Sequence, residues 1–156
     1  MDELSKIILI PTDFSEVCQN AINHGSEIAG FLNYKVCLLH VINKDTKSFL
    51  KAEKKDETLI DEKLHDLSAS IKLKYKVDVI TIAKEGDLFD VVEEVAKEIN
   101  AGLLVLGTHG KVGMQHLTGS YASKVVMNSE VPVIVVQERS FGKGYNDIVF
   151  PINYSD

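Results

Sequence analysis

Five short apolar runs recur along the chain: Lys6–Pro11 (KIILIP), Lys35–Ile42 (KVCLLHVI), Val77–Ala83 (VDVITIA), Leu103–Gly107 (LLVLG) and Val131–Val136 (VPVIVV). Each carries β-branched residues, and most are continuous rather than alternating. A strand with that pattern must be covered on both faces, as strands of parallel sheets are. Helical stripes lie between the runs. Ser15 can cap a helix that puts Cys18, Ile22, Gly25, Ile28, Ala29 and Leu32 on one face. Leu59, Ile60, Leu64, Leu67 and Ile71 make a second stripe. Asp87 caps a third, with Leu88, Val91, Val92, Val95, Ala96 and Ile99 inward. Ser120 to Asn128 supplies a fourth through Ala122, Val125 and Val126. This alternation predicts an α/β fold, a parallel sheet with helices on both faces and right-handed crossovers.

The chain has 156 residues, the length of one domain that folds without disulfides or metal. Its net charge of -6 disfavours nonspecific binding to nucleic acid or to an anionic membrane. No apolar stretch approaches the roughly 20 residues of a membrane span, and the N-terminal MDELSKIILIP does not read as a signal peptide. Cys18 and Cys37 fall among apolar positions outside any CxxC pair, which reads as buried, reduced thiols of a cytoplasmic protein. Asn43 to Glu57 (NKDTKSFLKAEKKDE) is rich in charge. It reads as a solvated loop running into a helix start, or as a lid over a ligand.

The stretch after the fourth run, GTHGKVGMQHLTGS over residues 107–120, concentrates glycine. It is either a loop shaped around phosphate or a turn that has to be tight. In a doubly wound sheet, ligands bind beyond the C-terminal ends of strands, where strand order reverses. On the phosphate reading Gly107 and Gly110 permit φ > 0 and close approach of backbone. Gly119 and Ser120 open the fourth helix, where free N–H groups favour an anion. Asp13, after the first run, suits a sugar hydroxyl or base N–H; otherwise it makes an Asx-type turn or a cap. Val41 offers backbone polar groups and an apolar wall to a base. Neither GxxxxGK[ST] nor GxGxxG occurs, so a P-loop NTPase or conventional NAD enzyme has no support.

The C-terminus echoes the start. Ile148-Val149-Phe150-Pro151-Ile152-Asn153-Tyr154-Ser155-Asp156 lies in register with residues 8–16 at an offset of about one domain. This reads either as a late edge strand or as residues 1–140 forming a domain and 141–156 a linker with the first strand of a second repeat.

Pro11-Thr12-Asp13-Phe14-Ser15, His40-Val41, Gly107-Thr108-His109-Gly110 with Gly119-Ser120, and Val131 to Val136 together resemble the universal stress protein family, over residues 5 to 137. The resemblance implies a sheet of order 3-2-1-4-5, adenine nucleotide α-hydrolase-like, and a regulatory domain that binds ATP or a related adenine nucleotide with at most slow hydrolysis. The implied site comprises Pro11, Thr12, Asp13, Val41, Gly107, Gly110, Gly119, Ser120 and Tyr121, with Mg²⁺ or Mn²⁺ accompanying the phosphates. It also implies a homodimer through the fifth strand, Val131 to Gln137, and it fits a tandem arrangement. The family spaces GxxG and G[ST] by nine residues. Here eight lie between Gly110 and Gly119, which either closes the phosphate side or is absorbed at Gly113. A second reading is a module of the same fold that binds no nucleotide and works through dimerisation or protein contacts.

Overall fold

The computed structural model describes residues 7–108 and 119–151. Five parallel strands, β1 (Ile7–Pro11), β2 (Lys35–Ile42), β3 (Val79–Glu85), β4 (Leu103–Gly107) and β5 (Val133–Val136), form one sheet in the order β3-β2-β1-β4-β5. Five helices connect them: α1 (Glu16–Leu32), α2 (Lys44–Ala52), α3 (Thr58–Tyr75), α4 (Leu88–Glu98) and α5 (Gly119–Asn128). The expected α/β architecture and strand order are both present.

The continuous apolar pattern has the expected cause. In β1, Ile8 and Ile10 pack towards Ala21 and Ile22 of α1 and Ile60 and Leu64 of α3. Leu9 between them packs on the other face with Val91, Val92 and Val95 of α4 and Val125 of α5. All three β1 side chains are fully buried, each contributing about 1.5–3 kcal/mol. Cys18 and Cys37 are buried free thiols, and burial pushes both up to about 12.

Three boundaries differ from the sequence reading. The third strand begins at Val79, because its register pairs Lys84 and Glu85 with Val41 and Ile42. The fifth strand begins after Pro132, which has no N–H to give the ladder but accepts from the Leu104 N–H at 2.9 Å. Residues 43–57 contain a helix, α2. Asn43 caps it by accepting from the Asp45 and Thr46 N–H groups at 3.0 Å each, and Leu50 anchors it in the core.

After β5 the chain straps across α1. The Asn20 side chain donates to the carbonyls of Gln137 and Arg139. Buried His24 donates from Nε2 to the Arg139 carbonyl at 2.9 Å, which leaves Nδ1 to accept from the Tyr145 hydroxyl at 2.8 Å. Further on, Ile148, Val149 and Phe150 form no strand and are more than 80% exposed. Asn153 to Asp156, the end of the echo, lie outside the described residues.

Gly107 closes β4 against the first turn of α1. A Cβ there would stand 2.7 Å from the Val17 carbonyl oxygen, backbone that cannot swing aside. Gly107→Ala should therefore destabilise the domain by about 1–3 kcal/mol, read as a lower urea midpoint with unchanged slope. An unchanged midpoint would show that α1 is free to move outward.

Candidate functional site

The turn leaving β1 is built from side chains bonding their own backbone. Thr12 Oγ1 accepts from the Phe14 N–H at 3.1 Å, and Asp13 Oδ1 from the Ser15 N–H at 2.9 Å. Between them Phe14 adopts φ 66°, unusual for a bulky residue and costing about 1–3 kcal/mol. The ring is held by a stack on His40 at 4.8 Å between centroids, with the Lys63 ammonium 5.2 Å away over its face. Ser15 then caps α1, accepting from the Cys18 N–H at 3.4 Å.

Asp13 thus makes the Asx turn, and the same carboxylate borders a cleft. Burial alone would raise its pKa. Hydrogen bonds from Ser15 and Cys18 outweigh that and hold it below the ordinary 3.8, as the head of a helix favours. The ionised carboxylate therefore contributes stability above pH 3.8, and this is lost as pH falls through the lower folded value.

His40, at the end of β2, joins this turn to α2. Its Nδ1 lies 2.8 Å from the Thr12 carbonyl and its Nε2 3.1 Å from Thr46 Oγ1. A carbonyl only accepts, so Nδ1 carries the proton and Nε2 accepts from the threonine hydroxyl. Burial pushes the imidazole below its usual 6.5. The Thr12 carbonyl and Asp13 oppose this, and Lys63 adds to it. An ion pair of Lys47 with Glu85 further ties α2 to the end of β3.

Between these elements lies a cleft of about 230 Å³, just under the roughly 300 Å³ where small-molecule sites begin. Pro11, Thr12, Asp13 and Val41 all line it, with His40, Asn43, Asp45, Thr46, Phe49 and Leu88. Four of the residues singled out in the sequence therefore converge from two strands. His40 and Leu88 are not singled out by the sequence for the site, and Asn43, Asp45, Thr46 and Phe49 enter it only as part of the segment that reads as a loop or a lid. The available signal was His40, a titratable residue inside an apolar strand, which has to find partners when buried.

The remaining positions divide. Gly107 is an extended strand residue; the glycines of positive φ among the described residues are Gly86, Gly142 and Gly144. Its lack of a Cβ serves the contact with Val17, and the expected φ > 0 is not what position 107 uses. Gly110 lies outside the described residues, as does the eight-residue spacer after it. Gly119 and Ser120 begin α5, as expected. The Tyr121 hydroxyl is buried with no hydrogen-bond partner among the described residues. Burial first, then the charges of Asp87 and Cys18, push its pKa upward. Among the described residues no three His, Cys, Asp or Glu side chains converge on a metal site, and no helix is long and apolar enough to cross a membrane.

The chain is 34% identical over 145 residues to a universal stress protein of Methanocaldococcus jannaschii, covering 88% of this chain and 85% of that one. Its fold matches a universal stress protein solved in complex with cAMP, at TM-score 0.65 and 20% identity over 86% of this chain and 98% of that one. It also matches the Archaeoglobus fulgidus universal stress protein solved in complex with dAMP, at TM-score 0.61 and 20% identity over 85% and 97%. The profile of the universal stress protein family spans residues 5–137, and with these matches the chain belongs to that family.

Proposed function

We propose that the cleft binds an adenine nucleotide, ATP or a relative such as AMP, and that the protein acts as a stress-response regulator through that binding. One observation carries this reading. An ionised carboxylate suited to ribose hydroxyls, Asp13, and a strand end suited to a base, Val41, border the same cleft beyond the C-terminal ends of β1 and β2, next to the β1–β4 pair where strand order reverses. The solved relatives that hold cAMP and dAMP support it. Among the described residues lining the cleft there is no lysine or arginine to stabilise a phosphoryl transition state, so hydrolysis is at most slow. Mg²⁺ or Mn²⁺ would arrive with the phosphates, since the described residues offer no cage of their own.

Calorimetry with ATP and Mg²⁺ tests the reading. Binding is expected, and Asp13→Ala should weaken it about tenfold or more, the worth of hydrogen bonds to a charged group. Absence of heat at millimolar nucleotide would remove the proposal.

We also infer that two copies pair through β5. It is an edge strand whose Val135 is 39% exposed, and such an edge invites pairing. The exposed Ile148, Val149 and Phe150 are compatible with reading residues 141–156 as a linker and the opening strand of a second repeat. Light scattering should report a dimer, and Val135→Lys should convert it to monomer. A wild-type monomer at high concentration would contradict the pairing.

A further inference from the structure

The backbone groups of β2 alternate between its neighbours. Even-numbered residues face β3: the Val36 N–H donates to the Asp78 carbonyl at 2.9 Å, and the Ile42 carbonyl accepts from Gly86 at 3.3 Å. Odd-numbered residues face β1, and the last rung there runs from the Thr12 N–H to the Leu39 carbonyl at 2.8 Å. Continued by one step, the ladder would join the Val41 N–H to the Thr12 carbonyl. That bond is not formed. The Thr12 carbonyl instead accepts from His40 Nδ1 at 2.8 Å. The Val41 carbonyl is occupied by the Asn43 N–H at 3.0 Å. What remains is the Val41 N–H, directed past the end of β1 on a residue that lines the cleft.

We propose that His40 is a positioning residue for base selection: by holding the Thr12 carbonyl on its own Nδ1–H and out of line with the ladder, it ends the pairing of β1 with β2 one rung early and leaves the Val41 N–H as a donor for the ligand. This rests on the adenine-nucleotide reading and adds to it a selection rule. A fixed N–H donor accepts a ring whose facing nitrogen carries a lone pair, as N1 of adenine does. Hypoxanthine and guanine carry a hydrogen at N1 and would set donor against donor. Leaving a buried donor unpaired costs about 1–3 kcal/mol, so preference for adenine over hypoxanthine should be about tenfold or more. The Thr46 bond to Nε2 fixes the ring so that Nδ1 keeps its place on the carbonyl.

The test is nuclear magnetic resonance on isotope-labelled protein, with titrations of adenosine and inosine monophosphate. In the ligand-free wild type, no scalar coupling across a hydrogen bond should join the Val41 nitrogen to the Thr12 carbonyl carbon. The Val41 amide resonance should move when adenosine monophosphate is added. His40→Phe keeps an aromatic ring against Phe14 but has no N–H. The Thr12 carbonyl then pairs with Val41, the coupling appears, and preference for the adenine nucleotide falls about tenfold. His40→Asn keeps a donor in the place of Nδ1 and should restore the preference although it packs less well, which a purely structural role would not produce. A coupling already present in the wild type, or the same preference in the wild type and the Phe variant, would overturn the inference. Should the Phe variant not fold, the wild-type coupling and the Asn variant decide. Should the wild type bind neither nucleotide, the function proposed above falls, and the coupling in ligand-free protein still reports separately on whether His40 holds the ladder open.

Discussion

The structure depends on one reversal. The chain winds from β1 outward to β3, returns to β4 beside β1, and continues outward to β5. Helices leaving β1 and β4 therefore depart to opposite faces, α1 with Ile8 and Ile10, α5 with Leu9 and Leu106. Where strand order reverses between β1 and β4, a crevice at the C-terminal edge of the sheet follows from that topology. The contact of Gly107 with the Val17 carbonyl sets how closely α1 approaches that crevice. Packing at the end of β4 thereby fixes the helix head that steadies Asp13.

The turn at the crevice is strained and over-determined. Phe14 in the left-handed region would relax if free, yet its neighbours on either side are locked by side chain to backbone bonds. The His40 stack closes the arrangement from the next strand. Strain held this firmly is common at binding sites, where the alternative is a loop that must be ordered by its ligand. His40 also reaches α2, so the floor and one wall of the cleft share a single imidazole.

Much of this was legible in the residues. Continuous apolar runs gave the parallel sheet, because burial on two faces leaves no room for alternation. The strand order came only with the family resemblance, since periodicity says nothing about neighbours. Asp13 and Val41 could be placed at strand ends and do meet in one cleft. The helix α2 escaped notice because Phe49 and Leu50 are the only large apolar side chains from Asn43 to Glu57, and its fixings are a cap and the bond from Thr46 to His40. In the sequence Gly107 suggests a positive φ and close approach to phosphate; the structure uses its absence of volume against the Val17 carbonyl. The strap over α1 joins His24 to residues more than a hundred positions away, and no local pattern announces such a contact.

The decisive measurement is a crystal structure of the protein grown with adenosine monophosphate. Density is expected in the cleft at the ends of β1 and β2, with the ribose hydroxyls on the Asp13 carboxylate and the base edge on the Val41 backbone. A nucleotide seated elsewhere, or a cleft filled by the protein's own side chains in crystals saturated with the ligand, would contradict it.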